Sequence, residues 1–141
     1  MNSGTLLLGA VLLLAPGVSP MGGQALAATQ DCPIQGFDLD KIEEAARNAP
    51  TCDRSLELFR LCGSGATSDV QLGAAVTERC EGDFLARLSK AQRTEYRRAQ
   101  ARCARKYARE SGTMYRSFEA YCGAEVARSF ARRFAKPRPS R

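Results

Sequence analysis

Hydrophobic residues recur at intervals of three and four positions through much of this chain, which is the period of an amphipathic helix. Two such runs occupy residues 88–135 and are separated only by the Ser-Gly-Thr break at 111–113. Ser89 and Gln92, three residues apart, are able to cap the first helix reciprocally. Pro137 ends the second run, because proline interrupts a helix. Helices joined by so short a break are expected to fold back as an antiparallel hairpin over residues 88–135.

Each hairpin helix carries an apolar stripe that we assign to the core, the usual fate of a stripe with this spacing. The stripe of the first helix consists of Leu85, Leu88, Gln92, Tyr96, Ala99, Cys103 and Tyr107. The stripe of the second consists of Phe118, Cys122, Val126 and Phe130, flanked by Tyr115, Ala127 and Phe134. Between them, we expect Gly112 to adopt a left-handed conformation and Thr113 to cap the second helix.

Three shorter helices are predicted before the hairpin. Asp38 can cap a first helix that ends before Pro50, and a second helix spans residues 53–61. A third, over residues 68–80, opens with another hydroxyl-x-x-amide pair, and the chain is expected to break or kink at 82–83. No segment alternates as a strand would. The sequence therefore predicts an all-α, disulfide-stapled domain over residues 28–135, with four to five helices.

The first residues are typical of a signal peptide. An apolar run over residues 6–15 is followed by Ala25-Leu26-Ala27, an A-x-A cleavage site, so that cleavage would leave residues 28–141. Pro16 interrupts the run before it reaches the roughly 20 residues that span a membrane. We therefore expect a periplasmic or secreted protein, soluble after processing and without a transmembrane segment. Residues 136–141 are predicted to be a disordered basic tail.

All six cysteines follow the predicted cleavage site, and the sequence contains neither histidine nor a CxxC pair. An even number of cysteines in a short exported chain indicates disulfides rather than a metal site. Cys103 and Cys122 lie nine and ten residues on either side of Gly112, so they should face each other across the hairpin.

The four remaining cysteines allow more than one pairing. Cys52 and Cys62 sit at opposite ends of one predicted helix, about 15 Å apart, which is too far for a disulfide. Similar spacing about the turn near residue 65 favours Cys52–Cys80, which leaves Cys32–Cys62. The sequential pairing, Cys32–Cys52 with Cys62–Cys80, stays open.

Charge is unevenly distributed along the chain. Residues 31–86 carry eleven acidic and five basic side chains, a net charge of −6, whereas residues 87–141 carry sixteen basic and four acidic ones, a net charge of +12. This asymmetry indicates a polarised surface. The arginines assigned to its basic face are Arg98, Arg102, Arg105, Arg132 and Arg133.

The hairpin sequence resembles the C-terminal half of LprI-like lysozyme-inhibitor domains over residues 84–134. That family's pattern is an Ala-Gln helix with an aromatic residue, an Arg-rich stretch that reaches a cysteine, a Gly-Thr turn and a second cysteine. The matching positions are Ala91, Gln92, Tyr96, Arg97, Cys103, Gly112, Thr113 and Cys122. The resemblance implies an exported, helical, disulfide-bonded protein, and some members of the family inhibit lysozyme.

Catalysis is not expected from this sequence. Without histidine there is no Ser-His or Cys-His arrangement, and cysteines held in disulfides are not nucleophiles. No cofactor or metal is predicted either. The first functional hypothesis is therefore inhibition of a lysozyme-type hydrolase by a loop, 63–67 or 111–115, that enters the cleft. Arg116 would meet a catalytic carboxylate there. The candidate partner-binding residues are Ser111, Thr113, Met114, Tyr115 and Arg116.

The second hypothesis is an electrostatic module of the cell envelope. Its basic face would bind anionic lipid, an acidic glycan or an acidic protein partner. Nucleic acid is not an expected partner of an exported protein. Binding of this kind should weaken steeply as salt is added.

Overall fold

The computed structural model describes residues 31–136, which contain α-helices and short 3₁₀ turns and no strand. This confirms the predicted all-α class. The predicted signal peptide and residues 137–141 of the predicted tail lie outside the described residues. In chain order the α-helices are α1 (Leu39–Arg47), α2 (Cys52–Cys62), α3 (Ser68–Phe84), α4 (Lys90–Tyr107) and α5 (Thr113–Phe134). The 3₁₀ turns cover Gln35–Phe37 and Leu85–Arg87.

Local capping explains where three of these helices begin. The Asp38 carboxylate accepts the backbone N–H of the third residue of α1, at 3.3 Å, as predicted. Thr51 accepts the corresponding N–H of α2 at 3.0 Å. At α4 the predicted capping box is present: the Ser89 hydroxyl accepts from the Gln92 N–H at 3.3 Å, and the Gln92 amide oxygen accepts from the Ser89 N–H at 2.8 Å.

Helix α3 departs from prediction at both ends. Ser68 lies inside the helix, and its hydroxyl contacts the Ser64 hydroxyl at 3.2 Å instead of forming a capping box. The break predicted at 82–83 is also wrong, because the helix continues to Phe84. A glycine inside a helix costs only about 1 kcal/mol, and Asp83 is held in helical register by a 2.9 Å bond from Arg79, one turn earlier.

Helices α4 and α5 form the predicted antiparallel hairpin. Glu95 pairs with Arg133 at 3.0 Å near one end, while Cys103 is bonded to Cys122 towards the other. Gly112 precedes α5 with φ 111°, a conformation that a side chain would disfavour. The capping role predicted for Thr113 is wrong, because Thr113 is already the first helical residue.

Helix α5 packs most extensively against α3, not against its hairpin partner α4. The approach is close: a Cβ on Gly73 of α3 would lie 2.8 Å from the Ala120 Cβ of α5. Because α5 packs against α3 as well as α4, its buried face is rotated relative to the predicted stripe. Phe118, assigned to the core, is 42% exposed, whereas the neighbouring Ser117 is 2% exposed. Phe130 is buried as predicted.

Three disulfides connect the helices, with the predicted pairs. Cys32–Cys62 ties the lead-in to the end of α2, with Cα atoms 4.7 Å apart. Cys52–Cys80 joins the start of α2 to α3 at 4.6 Å, and Cys103–Cys122 joins α4 to α5 at 5.6 Å. The sequential alternative for the first four cysteines is therefore wrong. Two of the three bridges lie within the core, and Cys103–Cys122 lies outside its main cluster.

Candidate functional site

The most distinctive exposed feature of the described residues is a group of large side chains where α4 turns into α5. We call Tyr107, Met114, Tyr115 and Phe118 the aromatic tip. Met114 is 57% exposed and Phe118 is 42% exposed, and the two tyrosines are half-buried. Exposed groups of this kind mark interaction surfaces more often than isolated apolar residues do.

The three rings of the aromatic tip pack against one another. Tyr107 and Phe118 have centroids 6.1 Å apart, Tyr115 and Phe118 also 6.1 Å in an edge-to-face arrangement, and Tyr107 and Tyr115 6.5 Å. The Lys106 ammonium lies 5.1 Å from the centroid of the Tyr107 ring. The rings therefore support one another while their outer surfaces remain open to a partner.

The aromatic tip is separate from the hydrophobic core, to which none of its four residues belongs. It is fixed instead by the nearby staple. Cys103 lies four residues before Tyr107, and Cys122 lies four residues after Phe118, so the disulfide closes the hairpin about one helical turn from the rings. The tip therefore lies at the end of two helices that a disulfide connects.

A buried carboxylate fixes a second loop beside the tip. Asp69, in the first turn of α3, is 2% exposed and accepts the backbone N–H groups of Ser64 and Gly65, each at 2.9 Å. It also accepts the hydroxyl proton of Ser117 at 2.5 Å, from the turn of α5 that follows Met114. Asp69 therefore brings both loops proposed for target binding, 63–67 and 111–115, to one end of the molecule.

Arg116 lies in the first turn of α5, directly after loop 111–115. Its side chain is 71% exposed and lies 3.8 Å from the Glu119 carboxylate, a loose pairing that leaves the guanidinium accessible. A groove of about 190 Å³, lined by Val70, Gln100, Arg116 and Glu119 among others, continues from this position along the junction of three helices. Val70 itself is 42% exposed. In the sequence of α5, an accessible cation thus lies between the exposed apolar and aromatic residues of the tip.

Two tyrosines anchor the helices beneath the tip. The Tyr121 hydroxyl donates to the Phe59 carbonyl at 2.7 Å, and the two rings stack with centroids 3.7 Å apart. Burial, together with the negative charge of Asp69, raises the pKa of Tyr121 to about 12. Tyr96 donates to Glu81 at 2.7 Å, and burial is the main reason that its pKa is also raised.

The five arginines assigned to the basic face differ in their surroundings. Arg132 donates twice to Asp53, at 2.7 and 3.1 Å, and Arg133 pairs with Glu95 while covering the Phe134 ring at 4.8 Å. The remaining three, on α4, have no ion-pair partner among residues 31–136; they are Arg98, Arg102 and Arg105. Arg132 and Arg133 on α5 are therefore paired with carboxylates, whereas the three arginines on α4 keep positive charges that are unpaired within the described residues.

All five predicted partner-binding residues lie at the hairpin turn or in the first turn of α5. Ser111, Thr113, Met114 and Arg116 are exposed, and Tyr115 is half-buried within the ring cluster. Sequence reasoning did not include Tyr107 and Phe118, because their helical spacing matched a core stripe. They could have been separated from the core by assuming that the core ends at the Cys103–Cys122 disulfide, since both residues lie beyond it.

Two absences complete the description of residues 31–136. No group of three or more acidic or cysteine side chains there is arranged to hold a metal ion. None of the helices in that range is both long and apolar enough to cross a membrane. Comparisons of the chain with protein-family models, curated proteins and solved structures find no match.

Proposed function

We propose that this protein is an exported, non-catalytic binding protein that inhibits a lysozyme-type peptidoglycan hydrolase with its aromatic tip. The observation that carries the proposal is the position of the tip: exposed Met114 and Phe118 lie on a stapled projection outside the core. Methionine, aromatic residues and arginine are enriched in protein interfaces, where a few such side chains supply most of the binding energy.

The shape and charge of the tip suit an enzyme cleft. Lysozyme-type enzymes hydrolyse glycosidic bonds with two carboxyl groups in a cleft that admits a sugar chain. The end of the hairpin would enter such a cleft, and Arg116 carries an accessible positive charge beside it. A carboxylate of the enzyme would replace Glu119, 3.8 Å away, as the partner of the guanidinium.

Pre-organisation supports the same function. The disulfide fixes the hairpin, and Asp69 fixes loop 63–67 to Ser117. A surface that is already ordered loses little conformational entropy on binding, which increases affinity. The three disulfides suit a protein that folds in an oxidising compartment, in agreement with the export expected from the first 27 residues.

The test is lysozyme turnover of a cell-wall substrate, titrated with oxidised protein spanning residues 28–141. We expect turnover to fall to an end-point at one inhibitor per enzyme. Unchanged turnover in stoichiometric excess, with helical folding verified by circular dichroism, would contradict the proposal.

A matched pair of variants assigns the effect to the tip. Arg116 and Arg54 each face a glutamate three residues later, Glu119 and Glu57, and both arginines are largely exposed. Arg116→Ala should weaken inhibition at least tenfold, because it removes the proposed contact with a catalytic carboxylate. Arg54→Ala, on α2, should leave inhibition unchanged. Equal effects of the two substitutions would show that general charge, not the tip, is responsible.

A further inference from the structure

The solvent-facing side of α4 and the turn that follows it carry a row of cations that the aromatic tip does not use. The row consists of Arg98, Arg102, Arg105 and Arg109, spaced by four, three and four residues. At 100° per residue the three positions on α4 fall within about 60° around the helix and extend over about 10 Å of its length. Arg109 lies in the turn that follows Tyr107. All four residues are exposed. We call this set the arginine row.

The arginine row has no internal counter-charge. None of its four side chains has an ion-pair or hydrogen-bond partner within residues 31–136. Several other exposed arginines have carboxylate partners: Arg54 pairs with Glu57, Arg60 with Glu125, and Arg47 with both Glu43 and Glu78. Like charges spaced by one helical turn repel one another, so binding of an external anion would remove a repulsion that no residue of the described chain offsets.

We propose that the arginine row is a second binding site, separate from the tip, for a linear polymer that carries phosphate groups. The guanidinium group binds phosphate oxygens with two parallel hydrogen bonds, so a line of arginines matches a line of phosphates. On one side the row is bordered by the small residues Ala101 and Ala104, so an extended chain can lie close to the helix there, and on the other side exposed Lys106 adds a further positive charge.

A polymer fits this face better than a bilayer does. A helix that lies on a membrane surface needs a wide apolar face to bury in the lipid. The apolar side of α4, with Tyr96, Ala99 and Cys103, is already buried within the protein, so its free side offers charge and methyl groups only. Of the large exposed apolar residues, Val70 lies on α3, and Met114 and Phe118 lie on α5, so none of them is on α4.

This site extends the function proposed for the tip without depending on it. A protein held along an anionic polymer of the envelope would keep its tip at a high local concentration near enzymes that act there. The two activities are measured separately, because polymer binding needs no hydrolase and hydrolase inhibition needs no polymer.

The experiment measures binding of inorganic linear polyphosphate to the oxidised protein at several salt concentrations. The row variant replaces all four arginines, Arg98, Arg102, Arg105 and Arg109, with glutamine. The control variant makes the same change at four arginines that have carboxylate partners, Arg54, Arg60, Arg132 and Arg133. The two variants have equal net charge, and circular dichroism checks that both are folded.

For four phosphate contacts, the slope of log affinity against log salt should fall by about 3 in the row variant relative to the parent. The control variant should keep nearly the parental slope. Equal losses in both variants, or no polyphosphate binding by the parent at 50 mM salt, would overturn the proposal. Vesicles of anionic phospholipid form a second arm: we expect weaker binding than to polyphosphate, and stronger binding that the row variant abolishes would assign the row to lipid instead.

Discussion

Asp69 provides the sharpest test of how the fold positions its candidate site. Its carboxylate is 2% exposed and accepts three hydrogen bonds, from Ser64 N–H and Gly65 N–H at 2.9 Å and from the Ser117 hydroxyl at 2.5 Å. Asp69→Asn keeps the shape of the side chain but replaces one acceptor oxygen with a donor. Whichever way the amide is turned, at least one backbone N–H then faces another donor.

The magnitude follows from the bonds that change. Hydrogen bonds to a charged group contribute about 1.5–3 kcal/mol each and neutral ones about 1, while a buried donor left unpaired costs about 1–3 kcal/mol. We therefore expect Asp69→Asn to lower the free energy of unfolding by about 2–4 kcal/mol. Ser117→Ala, which removes one of the three donors, should cost about 1.5–3 kcal/mol. The double variant should lose less than the sum, because both substitutions remove the same bond.

The assay is urea denaturation of oxidised protein, followed by circular dichroism, with the slopes of the transitions compared before their midpoints. Asp40→Asn is the control, since Asp40 also lies in the first turn of a helix but is exposed. It should lose only a helix-dipole interaction, which the two positions share. Equal destabilisation by Asp69→Asn and Asp40→Asn would refute the buried network as the cause. Additive effects of the Asp69 and Ser117 substitutions would refute it as well.

Three further predictions concern packing, the staple and pH. Gly73→Leu should lower the free energy of unfolding, measured in urea, by more than about 2 kcal/mol, because even a Cβ there would lie 2.8 Å from α5. Gly82→Ala, with nothing within 4 Å of the added Cβ, should instead stabilise α3 by up to about 1 kcal/mol. A loss of stability in Gly82→Ala would contradict the reasoning. Replacing Cys103 and Cys122 together with alanine should cost about 3 kcal/mol, given their separation of 19 residues, and an unchanged unfolding midpoint would contradict it. Because the pKa of Tyr121 is raised to about 12 in the folded protein and lies near 10 in an unfolded chain, the folded state retains that proton more strongly. Stability should therefore fall as pH rises above 10, and the fall measured between pH 9 and 11 should be smaller in Tyr121→Phe; an identical fall would contradict the assignment.

Features that depend on neighbouring residues could be predicted from the sequence. The Ser89–Gln92 capping box and the Asp38 cap are short-range patterns, and both are present. The Cys103–Cys122 pair followed from two helices of similar length on either side of a turn, which is a property of any antiparallel hairpin. Local chemistry and simple symmetry were sufficient in these cases.

Features that depend on a third element could not be predicted in this way. The spacing of Phe118 fits a core stripe, but α5 packs against α3 as well as α4. Because the packing against α3 is the more extensive, it determines which side of α5 is buried. Small residues such as Gly73 and Ala120 gave no signal, since their role is to let two helices approach. Likewise, Asp69 reads as an ordinary first-turn acid until the fold places Ser117, 48 residues away, against it.

The most direct measurement of the central claim uses Met114, the only methionine in residues 28–141. Met114 is 57% exposed at the aromatic tip, and peroxide oxidises its thioether to a sulfoxide that mass spectrometry resolves on this chain. The oxidation rate of Met114 is compared with and without a saturating excess of a lysozyme-type hydrolase. If the tip enters the cleft, oxidation should slow at least fivefold in the complex. An unchanged rate with the hydrolase in excess would contradict the claim that this surface binds the enzyme.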